Sequence, residues 1–307
     1  MQFQQTIKRS VACHGIGIHS GRPAHLVIHP APANSGVNFI RTDLPGAPVI
    51  PARSSRVVDS SLATTLGSEQ AYVSTVEHLL AALAGLKVDN ARIELSGPEL
   101  PILDGSAAPF TILLQKAGIK AVRWPRAFFQ MQKPLEISDG DKYIGIEPAT
   151  ESKLTYTIDF PHPAIGRQQL SFQLGTKAFC REIAPARTFG FLQDVQKLQA
   201  NGQALGGSLD NAIVLDPDGV LNPEGLRFPD EFVRHKILDL IGDLALLGWP
   251  ILGHIRVAKG SHALHQKFMQ ALLQQQETWR LYIPETQPSW RAALPAVNPF
   301  RFRVAMA

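Results

Sequence analysis

The order of its segments constrains this chain most. Short β-rich runs separated by turns come first, helices follow, and the pattern occurs twice. In the first half "AHLVIHP", "GVNFI" and "ARIELSG" have strand character. "VEHLLAALAGL", after "YVST", then predicts a helix ending at Gly85, and "AAPFTILLQKAGI" a second one stopped by glycine. In the second half the strand runs are "YIGIEP", "KLTYTIDF" and "RQQLSFQL". The helical runs are "GFLQDVQKLQANG", "FVRHKILDLIGDLALLG" and "HALHQKFMQALLQQQETW". Periodicity fails between about residues 121 and 133, in "AVRWPRAFFQMQKP", which carries two prolines. The expected fold class is therefore α+β: two similar domains, each a sheet packed on a helix pair. The expected boundaries are 1–125 and 126–283, with an irregular tail over 284–307. A duplication is suggested by this pattern alone, without a residue-level repeat.

A chain of 307 residues is long enough for two such cores. It contains no run of about 18 apolar residues, so no membrane span is expected. The start, "MQFQQTIKRSVACHG", lacks an apolar signal core, which predicts a cytoplasmic protein. Cys13 and Cys180 are too few for a disulfide framework or a thiolate metal cage. A net charge of +4 suits an anionic partner such as a phosphorylated ligand. Without Lys/Arg clusters or an aromatic RNA-binding signature, no nucleic-acid partner is expected.

The run "FVRHKILDLIGD" poses the chemical question. At about 100° per residue, His235, Asp239 and Asp243 form one narrow stripe, and the apolar residues from Ile237 to Leu247 occupy the opposite face. A solvated stripe is the simplest account. Against it, carboxylates at i,i+4 repel, and neither lies in the first turn, where the helix dipole would help. A bound cation would reverse that repulsion, since imidazole and carboxylate four residues apart can share one zinc ion.

A third ligand is best sought in "STVEHLLAALAGL", where Glu77 precedes His78. Each has a plainer explanation: Ser74-x-x-Glu77 fits a capping box, and His78 fits a helix surface. Taken with His235 and Asp239, however, they complete a catalytic zinc set with an open position for water and a neighbouring general base. Ser261 and His262 fall at a strand-to-helix turn, where His262 is either an exposed loop residue or a cationic acid. Thr188, in "ARTFGF", either caps the helix that follows or bonds a developing oxyanion.

Seven stretches in order resemble the zinc-dependent UDP-3-O-acyl-N-acetylglucosamine deacetylases of lipid A biosynthesis. They are "GIGIHSG" (15–21), "STVEHLLAALAGLKVDN" (74–90), "PILDGSAAPF" (101–110), "ARTFGF" (186–191), "LGGSLDNAIV" (205–214), "LRFPDEFVRHKILDLIGDL" (226–244) and "GSHALHQK" (260–267). The resemblance implies an active site between the layers of two α+β domains. It implies one zinc ion on His78, His235 and Asp239, with Fe²⁺ as the alternative metal. Glu77 would be the general base, His262 the general acid or electrostatic partner, and Asp243 the carboxylate behind that histidine. Thr188 would stabilise the oxyanion, Lys236 and Phe189 would contact substrate, and His19 would lie near the acyl passage. The expected partner is an acylated UDP-amino-sugar, with transient membrane-surface contact through it, and the expected state is a monomer. An acyl passage is expected around 192–205. Segment 60–70, "SSLATTLGSEQ", varies in the family, and the chain end aligns with no motif. The alternatives are a zinc amidase on a different acylated sugar and a non-catalytic sugar-nucleotide-binding homologue.

Overall fold

Alternation in the strand runs becomes one-sided burial. In Pro23–Pro30 the side chains of Ala24, Leu26 and Ile28 are buried, while His25 and Val27 turn outward. This strand belongs to a five-stranded sheet ordered Val11–Ile16, Pro23–Pro30, Ala91–Ser96, Val37–Arg41, Val49–Pro51. Its pairs are antiparallel except Val37–Arg41 with Ala91–Ser96. Three short strands, Val57–Asp59, Thr65–Gly67 and Tyr72–Val73, form a separate small sheet. The computed structural model describes residues 2–284, so all but the first residue of the tail expected over 284–307 lies outside the described residues.

Sheet membership changes across the proline-bearing stretch. Ile119–Pro125 pairs with Phe3–Ile7, whereas Phe128–Met131 joins a seven-stranded sheet. At the centre of that sheet, Ile251–Ala258 pairs antiparallel with Lys142–Glu147 and parallel with Ser152–Phe160 and Phe128–Met131. Leu135–Asp139, Gly166–Gln173 and Trp279–Tyr282 complete it. The mixed α+β class expected from the segment order is what the chain adopts.

Among the described residues six α-helices accompany the sheets: α1 (Glu77–Gly85), α2 (Ala108–Ala117), α3 (Thr176–Ala178), α4 (Leu192–Ala200), α5 (Glu231–Leu244) and α6 (His262–Gln274). The last is shorter than its run predicts. Trp279 leaves the helical path because its ring packs edge-on against Phe129 at 4.6 Å and its Nε1–H donates to the Leu272 carbonyl. α5 rests on Ser152–Phe160 and Gly166–Gln173, and α1 packs on α2 and α5. A continuous apolar core joins them, including Leu80 and Leu83 of α1, Ile237 and Ile241 of α5, and Leu264 of α6. Among the described residues no helix is long and apolar enough to cross a membrane.

The α1–α5 contact depends on a helix-interior glycine. A Cβ at Gly242 would sit 2.0 Å from the Glu77 carbonyl oxygen, so only glycine allows this approach. Gly242→Ala is expected to cost about 1–3 kcal/mol by overpacking. Urea unfolding measures it, and an unchanged midpoint would contradict the packing described.

Candidate active site and metal centre

Along α5, His235, Asp239 and Asp243 stand one turn apart, and all three are buried. The polar stripe is therefore not a solvated face. It looks into a crevice closed by the start of α1, the start of α6 and the segment around Ala186.

Three donors converge there. His235 Nε2 lies 3.3 Å and His78 Nε2 3.7 Å from Asp239 Oδ1, and the two imidazole rings are edge-on with centroids 5.0 Å apart. The three ligand atoms lie within 4.8 Å of one another. His235 is oriented through its other nitrogen, Nδ1, which donates to the Ala186 carbonyl at 3.1 Å. Burial, opposed by Asp239, lowers the His235 pKa to about 4, so the imidazole is neutral and its Nε2 lone pair faces Asp239. The Asp239 carboxyl is held well below the usual range; burial opposes this, but His235 and Lys236 more than reverse it. Lys236 Nζ donates to Asp239 Oδ2 at 2.7 Å. Asp239 Oδ1, buried, has no hydrogen-bond partner in the protein. A buried, unpartnered carboxylate oxygen facing two imidazole nitrogens fits a cation, so His78, His235 and Asp239 could hold one metal ion.

Glu77 stands beside this trio, 3 % exposed. The capping box expected from Ser74-x-x-Glu77 does not form: Glu77 is the first residue of α1, and no side chain caps the helix. Ser74 instead bridges to the segment at Pro98–Leu100, and its Oγ pairs with Thr65 Oγ1. The Glu77 carboxylate turns inward and accepts the Thr64 N–H at Oε2, 3.1 Å. Burial pushes its pKa up, with His262 and His78 opposing.

A second cluster faces Glu77. His262 Nδ1 and His265 Nδ1 both donate to Asp243 Oδ2, at 2.7 and 2.8 Å, and Thr64 Oγ1 donates to Asp243 Oδ1 at 2.6 Å. Burial works against charge on His262, but Asp243 overcomes it and raises the imidazole to about 9. At neutral pH the cluster is an imidazolium on a carboxylate. His262 is therefore not an exposed loop residue; it opens α6, with Ser261 as N-cap accepting the Leu264 N–H.

With this geometry in place, similarity to known proteins decides the family. The sequence model for UDP-3-O-acyl N-acetylglycosamine deacetylases matches residues 4–274. The chain belongs to that family. It is 49% identical over 297 residues to the UDP-3-O-acyl-N-acetylglucosamine deacetylase of Anaeromyxobacter dehalogenans (strain 2CP-C), covering 96% of each chain. Against the protein of the same name from Shewanella violacea (strain JCM 10179 / CIP 106290 / LMG 19151 / DSS12) it is 47% identical over 290 residues, 94% of this chain and 95% of that one. Against that of Myxococcus xanthus (strain DK1622) it is 50% identical over 270 residues, 88% of this chain and 86% of that one.

Phe189, Thr188 and His19 are the remaining residues suggested by the family resemblance. Phe189 stands 6.3 Å from the His235 ring and 5.0 Å from Phe232. Thr188 does not cap α4, whose N-cap is Phe191; its backbone is clamped between the Gly105 carbonyl and the Ile213 N–H, at 2.8 Å each. His19 lies in the loop after Val11–Ile16, with a buried Nδ1 that has no protein partner, and His262 is among the charges acting on it. Two further residues of the site are not among those expected from the sequence. His265 carries a detectable signal, since it follows His262 by three positions and so shares its helix face. Thr64 falls in segment 60–70, and nothing in its sequence surroundings marks it.

Proposed function

We propose that this protein hydrolyses the N-acetyl group of UDP-3-O-(3-hydroxyacyl)-N-acetylglucosamine, releasing acetate in lipid A biosynthesis, with zinc at His78, His235 and Asp239. The observation carrying this is the unpartnered Asp239 Oδ1 between two imidazoles, beside a buried glutamate, in a chain of the deacetylase family. Two nitrogen donors and one carboxylate suit zinc, and iron(II) accepts the same donors. Zinc, when bound, supplies a Lewis acid that acidifies water and polarises a carbonyl.

The chain's own residues supply the proton handling and orientation. Glu77 takes the proton of the attacking water: its carboxyl is buried, which raises its proton affinity, and it is aimed by the Thr64 N–H. His262, as imidazolium, lends positive charge to the developing oxyanion and stands ready to protonate the leaving amine. Asp243, held by Thr64 and His265, fixes the ring and its charge. Thr188 offers a hydroxyl to the oxyanion, the Phe189 ring packs on the sugar, and Lys236 and His19 bind substrate. An acyl chain would run along α4, whose Leu192, Val195 and Leu198 form a half-buried apolar stripe beside exposed Leu205 and Leu209. That chain would bring the enzyme transiently to the membrane surface from the cytoplasm, and it would act as a monomer. The change of sheet partner between Pro125 and Phe128 supports domains over 1–125 and 126–283 with the site between them.

The test is acetate release from the nucleotide sugar. The purified protein is expected to release acetate, to lose this on chelation and to regain it with one equivalent of zinc. A fully zinc-loaded protein that releases none would overturn the proposal.

A further inference from the structure

Glu99 is one of the few buried carboxylates outside the two clusters, at 3 % exposure. Its backbone bridges to Ser74, immediately before the start of α1. Its side chain collects three donors from two distant segments. The His19 N–H and the Thr75 hydroxyl reach Oε1, both at 2.9 Å, and the Ser20 N–H reaches Oε2 at 2.7 Å. The fit is tight, since a Cβ on Gly17 would fall 2.1 Å from Oε2.

Both tied segments matter to the site. Thr75 adopts a left-handed backbone, φ 58°, two residues before Glu77. The loop over residues 17–21 carries His19 and is gripped from the other side, where Leu205 N–H donates to the His19 carbonyl and Gly206 N–H to that of Ile18, at 3.1 and 3.0 Å. That loop therefore bridges the residues just before α1 and the second half of the chain, and Glu99 is the side chain that ties it to Thr75. His19 itself ends in a buried Nδ1 with no protein partner, which leaves it for a ligand.

We propose that Glu99 is a positioning residue: it locks the 17–21 loop to the N-terminus of α1 and so presents His19 to the bound substrate. This rests on the deacetylase proposal above. A glutamine at 99 keeps the shape but offers one oxygen where two are needed, so its amide would face a backbone N–H or the Thr75 hydroxyl.

Glu99→Gln is therefore expected to raise KM roughly tenfold, with kcat within about threefold and metal content unchanged. The His19 and Ser20 amides should lose roughly tenfold or more in hydrogen-exchange protection. In a His19→Ala background the added KM effect should shrink below about twofold, because the lost interaction runs through His19. Unchanged amide protection, or an undiminished KM effect in that background, would overturn the proposal. If Glu99→Gln does not fold, Thr75→Val removes one donor alone, and roughly a threefold KM rise that vanishes with His19→Ala is expected. A wild-type protein without acetate release would sink the deacetylase reading, while the amide measurement would still decide the loop.

Discussion

Glu77→Gln is expected to keep its metal and lose roughly 10²–10⁴-fold in acetate release. The carboxylate is not a ligand in the converging trio; it stands beside it, held by the Thr64 N–H, with burial raising its proton affinity. A glutamine preserves volume and can still accept that N–H, but it cannot take a proton. Metal content by elemental analysis and steady-state acetate release measure the two halves of this expectation. Activity near wild type would remove Glu77 from the base role, and loss of metal would make it a ligand.

Asp243→Asn is the second large effect, about 10²-fold or more in kcat/KM, because His262 loses the partner that keeps it charged. The titration gives an independent readout. His262 has a folded pKa of about 9, above its usual 6.5. Its ion pair therefore adds stability fully below about pH 6.5, and that stability fades as the pH rises through about 9. In the variant, Asp243 no longer overcomes burial, and the folded pKa should fall well below 9. Imidazole proton shifts followed by NMR in metal-free protein report both values. A His262 titration unchanged by Asp243→Asn would show that the carboxylate does not set the charge.

The elements legible in the sequence are those whose periodicity matches their environment. Pro23–Pro30, Ser152–Phe160 and Gly166–Gln173 alternate or are β-rich and lie within a residue of their predicted runs. α1 and α2 stop at their glycines. Ile251–Ala258 is less legible. It lies at the centre of its sheet, and its apolar approach "DLALLGWPILGHI" blends the end of a helix with the start of a strand. The short strands around Thr65 carry no signal, because two or three residues have no period. At the site, the His/Asp/Asp spacing signals an unusual helix face, but spacing cannot tell a solvated stripe from a buried one. What buries it is tertiary: α1, α6 and the Ala186 segment arrive from positions far away in the chain. The capping box failed for the same reason, since Ser74 is taken by the bridge to Glu99.

Metal location tests the central claim most directly. Zinc-anomalous diffraction from crystals of the protein purified without chelator should show one ion per chain, within bonding distance of His78 Nε2, His235 Nε2 and Asp239 Oδ1. The same data from Asp239→Ala should show that position empty. An ion seated instead on Asp243, His262 and His265, or none at all in active wild-type crystals, would contradict the account.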